Sequence, residues 1–144
     1  MPVITTFTAQ LIQDMINLIN IVTQHRDVRT AGLETAAEYC VVIVTTATEA
    51  EALSLADQLV AEHLAACVQV LPVQSIYRWQ GAVHRAPEWQ LLIKTRIALF
   101  EQVRDRLLAL HSYEVPEIIA MPIIAGSSAY LNWIKEQTQK PPGG

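Results

Sequence analysis

Seven residues, from His111 through Ser112, Tyr113, Glu114, Val115 and Pro116 to Glu117, gather an imidazole, a phenol and two carboxylates and stiffen them with one proline. An apolar run from Ile118 to Ala125 follows at once and reads as an interior strand, so polar chemistry meets the core at this corner. Carboxylates alone favour hard cations, whereas an imidazole or a thiolate suits copper or zinc. The candidate metal ligands are therefore Cys67, His111, Glu114 and Glu117, with His84 a weaker one. Their spacing is not a metal box, because the chain has no CxxC and no HxxxH.

Each candidate also has a purely structural reading. Cys67, in Ala-Ala-Cys-Val, can be a packed small hydrophobe, and Cys40 at the head of an interior strand still more so. His111 in the last turn of a helix can bond free carbonyls and complement the dipole. Glu114 and Glu117 can pair with Lys94 or Arg96. A second chemistry is open to the basic residues: Lys94, Arg96 and Arg78 could contact a small anionic metabolite or nucleotide, with Trp79 or Tyr113 as a stacking surface. Tyr77, Trp79 and Trp89 read first as interface anchors. No Gly-rich phosphate loop and no Gly-x-Ser-x-Gly is present, and the chain reads as a non-enzyme.

The elements that must position these groups follow from periodicity. Residues 8–24 place Leu11, Ile12, Met15, Ile16, Ile19 and Val22 at helical spacing, which predicts an amphipathic helix, and residues 25–38 read as a linker. Cys40 to Val44 is a β-branched strand. Thr48 and Glu51 form a capping box for a helix with Leu53, Ala56, Val60, His63 and Leu64 along one side. A strand over 66–79 is expected to bulge or bend where Pro72 interrupts it, turn at Gln80-Gly81 and return over 82–94. Thr95 caps a helix over 96–110 in which Phe100, Val103, Leu107 and Leu110 are aligned. The strand 118–125 and a short helix opening at Gly126-Ser127 complete the order.

This is an α+β chain: a βαββαβ sandwich of ferredoxin-like type with an added C-terminal helix and the N-terminal amphipathic helix. The expected divisions are an extension over 1–38, the body over 39–137 and a tail without fixed structure over 138–144. Two helices cover one face of such a sheet, yet the strands do not alternate apolar and polar. A neighbouring subunit is the simplest cover for the second face.

Bulk properties exclude several classes. At 144 residues, half of them hydrophobic and with a net charge of −4, the chain can bury a core and has no basic patch for nucleic acid. Its two cysteines sit in apolar runs, as reduced thiols do, which makes cytoplasm the default. No apolar run approaches membrane-spanning length. Gln13, Asp14, Asn17 and Asn20 interrupt what would otherwise be the core of an export signal.

Val-Thr-Thr-Ala at 44–47, Leu-Ala-Ala-Cys-Val at 64–68, Ser-Ile-Tyr-Arg-Trp-Gln-Gly at 75–81, Leu-Leu-Ile-Lys-Thr at 91–95, the 111–118 segment and Tyr-Leu-Asn-Trp-Ile at 130–134 together resemble the CutA family of divalent-cation tolerance proteins. As a set they are specific and span residues 40–134 in order. The resemblance implies a ferredoxin-like homotrimer, related to the PII signalling proteins, with long hairpins knitting three sheets together, and an association with copper and other divalent metals. The chain departs from the pattern at Ser112, where the family has proline, and in a hairpin whose only carboxylate is Glu88; residues 1–38 have no counterpart in the family's short members. The combined expectation is a cytoplasmic homotrimer that binds divalent metal, copper first, in intersubunit clefts near Cys67, His111, Glu114 and Glu117. The alternatives are a PII-like sensor using Lys94, Arg96 and Tyr113, or a scaffold that docks a partner protein through residues 8–24.

Overall fold

The computed structural model describes residues 10–20 and 38–143, and the chain divides into two compact units, Met1–Thr35 and Ala36–Gly144. In the first, residues 10–20 form helix α1. Gln10 donates to Asp14 Oδ1 at 3.1 Å and Gln13 to Asn17 Oδ1 at 3.3 Å, so neighbours one turn apart satisfy each other along its polar side. The remainder of the predicted 8–24 helix and most of the 25–38 linker lie outside the described residues.

The second unit runs β1 (Tyr39–Thr46), α2 (Glu49–Ala61), β2 (Cys67–Trp79), β3 (Ala82–Arg96), α3 (Phe100–Leu110), β4 (Ile118–Pro122) and α4 (Ser128–Gln137). The four strands form one antiparallel sheet in the order β2-β3-β1-β4, a ferredoxin-like arrangement. Strand alternation sends Cys40, Val42, Val44, Leu91 and Ile93 to the face covered by α2 and α3, where they meet Leu55, Leu59, Val103 and Leu107. Leu59, Leu91, Ile93 and Leu107 are at most 1% exposed. Each such side chain contributes about 1.5–3 kcal/mol of apolar burial.

Several local expectations are corrected. The buried stripe of α2 is Ala52, Leu55, Ala56 and Leu59, while Leu53 and Val60 face outward; an i, i+3, i+4, i+7 set of smaller residues outweighs a sparser set of larger ones. Pro72 introduces no bulge, since its pairing with Trp89 continues the unbroken β2–β3 register; β2 is an edge strand, where a missing N–H is tolerated. Thr95 caps no helix. It ends inside β3, fully buried, and donates its hydroxyl to Leu64 O at 2.6 Å, and a 3-10 turn at Ile97–Leu99 leads into α3. The Gln80-Gly81 turn is as expected, with both residues at positive φ, 48° and 79°, the two-residue hairpin geometry.

The second sheet face is covered at one end by α4. Ile134 is wholly buried against Tyr39, and Arg96 donates to Thr138 Oγ1 and Thr138 O, both at 2.9 Å. Thr138 therefore belongs to the packed body rather than to the tail. The β4 strand, expected to be interior, ends at Pro122 and forms an edge of the sheet, with Ile119 and Met121 about half exposed.

Candidate functional site

The corner predicted from sequence is assembled by four elements. Helix α3 ends at His111, whose N–H bonds Leu107 O at 2.8 Å while its backbone turns extended. The imidazole then points inward and its side chain is fully enclosed. Its Nε2 lies 2.8 Å from Thr45 O, and its Nδ1 lies 3.0 Å from the Tyr113 N–H. A carbonyl can only accept and an amide N–H can only donate, so the network assigns the neutral tautomer with its proton on Nε2. Both nitrogens are used, and in this geometry neither is left for a metal. The partner of the His111 Nε2 is thus a strand carbonyl rather than a helix end.

The loop around His111 is fixed from both sides. Glu51, in the first turn of α2, accepts from the Ser112 N–H at 2.8 Å and the Ser112 hydroxyl at 2.9 Å. The predicted capping box is thus only half made: Thr48 Oγ1 accepts from the Glu51 N–H at 3.2 Å, but the Glu51 carboxylate crosses to the loop instead of folding back. On the other side Tyr113 Oη donates to Glu88 Oε2 at 2.9 Å, and the Tyr113 ring lies 5.0 Å from the His111 ring. Partial burial, reinforced by the hydrogen bond and the charge of Glu88, pushes the Tyr113 phenol up to about 12. Glu88 is 9% exposed, a carboxylate withdrawn from water and held by a phenol.

The other candidates lie elsewhere. Cys67 is half-buried opposite Lys94, whose Nζ is 3.9 Å from Cys67 Sγ and also bonds Gln69 Oε1. The Tyr130 phenol bonds Cys67 from α4, and its pKa is raised by burial and by that thiol. Lys94 is six residues along β3 from Glu88, about 20 Å at roughly 3.3 Å per residue. Within one chain, then, Cys67 does not meet His111, and Lys94 and Arg96 do not meet Tyr113. Glu114 and Glu117 are exposed, and neither pairs with Lys94 or Arg96, whose partners are Cys67 and Gln69, and Thr138. His84 stacks on Tyr77 at 5.6 Å in the hairpin, and Arg78 bonds Gly81 O at its tip.

Among the described residues no three His, Cys, Asp or Glu side chains stand close enough to hold a metal ion, and no buried side-chain nitrogen or oxygen lacks a partner. What the sequence reading missed are the two carboxylates that organise the corner, Glu51 and Glu88. For Glu51 the sequence pattern points to its own helix cap and not to the loop. Glu88 carried a usable signal: strand alternation from Leu92 places it on the second face, where a lone carboxylate needs a donor.

The comparisons with known proteins agree with this architecture. A sequence model of the CutA1 divalent ion tolerance proteins matches residues 40–137. The Divalent-cation tolerance protein CutA of Thermus thermophilus is 48% identical over 99 residues, 68% of this chain and 96% of that protein. The chloroplastic Protein CutA of Arabidopsis thaliana is 44% identical over 100 residues, 69% of this chain, and the match spans 55% of the plant protein. The solved structure of the periplasmic divalent cation tolerance protein CutA from Archaeoglobus fulgidus superposes with a TM-score of 0.69 at 37% identity, covering 70% of this chain and 99% of that one. With the fold in agreement and about two thirds of the chain matched in sequence, this chain belongs to the CutA1 divalent ion tolerance protein family.

Proposed function

We propose that the chain serves divalent-ion tolerance as a non-catalytic, cytoplasmic homotrimer that binds a divalent metal, copper foremost, at sites completed by more than one subunit. The observation that carries this reading is the incomplete second face. Past the end of α4, Ile119 and Met121 stand half exposed, and residues 73–88 extend beyond β1 as a two-stranded arm with Ile76, Trp79 and Val83 51–61% exposed. Apolar surface and open strand edges of this kind suit pairing with further copies. Since the described residues of one chain gather no three-ligand set, Cys67, Glu114 and Glu117 would act with groups from a neighbour, and His111 would hold the loop that carries the glutamates. No helix among the described residues is long and apolar enough to cross a membrane. Sedimentation equilibrium tests the assembly, and a mass near one chain refutes it. Titration of chelator-stripped protein with Cu(I), Cu(II) and Zn(II) tests the site, and no affinity better than about 100 μM, a weak-site limit, refutes metal binding.

A second reading, a PII-like intersubunit cleft for a small anionic metabolite or nucleotide, with Lys94 and Arg96 from one subunit and Tyr113 from another, is favoured by one contact. Among the described residues the Lys94 ammonium bonds the neutral Gln69 amide and Cys67 and pairs with no carboxylate. A thermal shift with such anions in metal-free buffer supports this reading, and indifference to the whole set removes it.

A further inference from the structure

We propose that α1 is an assembly element: three copies, one from each subunit, pack apolar face to apolar face as a parallel bundle. The inference rests on the homotrimer reading and extends it to a segment that the family match over 40–137 does not include. In α1, Leu11, Ile12, Met15, Ile16 and Leu18 are each 42–64% exposed. At about 100° per residue they fall within an arc of roughly 160°, and Gln10, Gln13, Asp14, Asn17 and Asn20 fill the opposite arc. An apolar arc of that width exceeds the narrow seam of a two-stranded coil and suits a helix touching two neighbours.

Charge and length decide what covers it. Residues 10–20 contain no lysine or arginine, so nothing on the polar side engages anionic lipid headgroups or an acidic peptide. The single charge, Asp14, lies on the polar arc in a hydrogen bond with Gln10, and identical copies would meet with no like charges between them. A helix of this length is marginal in water without packing. Copies tethered to one trimer face each other at effective concentrations of order millimolar, which no separate partner needs to match.

The test uses the full chain carrying Met15→Cys, at the centre of the apolar arc, or Asn17→Cys, opposite it, each treated with a short bis-maleimide beside the unsubstituted chain as blank. The expected result is a sedimentation mass of three chains, with Met15→Cys joined into covalent dimers at least about fivefold more than Asn17→Cys and independently of dilution, as tethered copies require. A three-chain mass with no excess at position 15 overturns the bundle and leaves the trimer standing. A one-chain mass without crosslinks overturns both. Protection of the position-15 thiol from a single-headed maleimide without dimers assigns the face to another surface and also overturns the bundle.

Discussion

Tyr113 Oη and Glu88 Oε2 lie 2.9 Å apart, a phenol donating to a carboxylate that is otherwise withdrawn from water, and this contact joins the loop after α3 to β3. The phenol is raised from 10.0 to about 12, so the folded chain holds its proton more tightly than the unfolded chain does. That contribution to stability is fully present below pH 10 and is lost as the pH rises through about 12. Tyr113→Phe should remove this alkaline slope and cost about 1–2 kcal/mol at neutral pH by leaving Glu88 short of a donor. Urea melts of both proteins from pH 7 to 11.5 measure the two effects, and parallel pH profiles would contradict the first.

Ser112 offers a more local test, because it stands where the family pattern has proline. Its N–H and hydroxyl both reach Glu51, which puts a charged acceptor between α2 and the loop. Ser112→Ala removes one of the two bonds and Glu51→Gln weakens both. A double-mutant cycle should return a coupling of about 0.5–1.5 kcal/mol, the range for a charge-assisted pair that is partly exposed. A coupling within error of zero would show that the carboxylate is satisfied by water instead.

How much of this was legible in the sequence differs by level. The strand and helix order was readable because β1, β3 and α3 carry strong, unambiguous periodicity, as in Val42, Val44, Leu91 and Ile93 on one face and Val103 and Leu107 on the facing helix. Residues whose roles depend on long-range partners were not readable. Thr95 has the type of a cap, but its acceptor, Leu64 O, is 31 positions away. His111 and Tyr113 stand in the right segment, yet only the fold shows that Thr45 and Glu88 use their polar atoms. Ligand chemistry alone groups Cys67 with His111, and strand register separates them within one chain.

Arg96 should govern α4. Its guanidinium holds the hydroxyl and carbonyl of Thr138 at the helix end, and Thr138 is 3% exposed. Arg96→Met keeps much of the apolar stem and removes both bonds, so a loss of about 1–3 kcal/mol is expected. Hydrogen exchange should accelerate first in residues 128–138 while β1 remains protected. Uniform acceleration across the sheet would mean that α4 is held mainly by Ile134.

The end of α2 sets two effects in opposition at a single residue. His63 has φ of 58°, and the Leu64 N–H to Leu59 O bond of 2.9 Å with the His63 N–H to Val60 O bond of 3.1 Å forms the paired closure usually made with glycine at this position. A side chain there costs about 1–2 kcal/mol. His63 offsets part of that cost because its Nδ1 lies 3.0 Å from Gln137 O and so ties the end of α2 to the end of α4, a bond of about 0.5–1.5 kcal/mol. His63→Gly loses the bond and the backbone strain together and should change stability by less than about 1 kcal/mol. His63→Ala loses the bond but keeps the strain, and should lie below the glycine variant by about 1 kcal/mol. Chemical denaturation of the three proteins orders them directly. An alanine variant as stable as the glycine variant would show that the left-handed backbone at this position carries no strain, and that the imidazole is there for the α2–α4 contact alone.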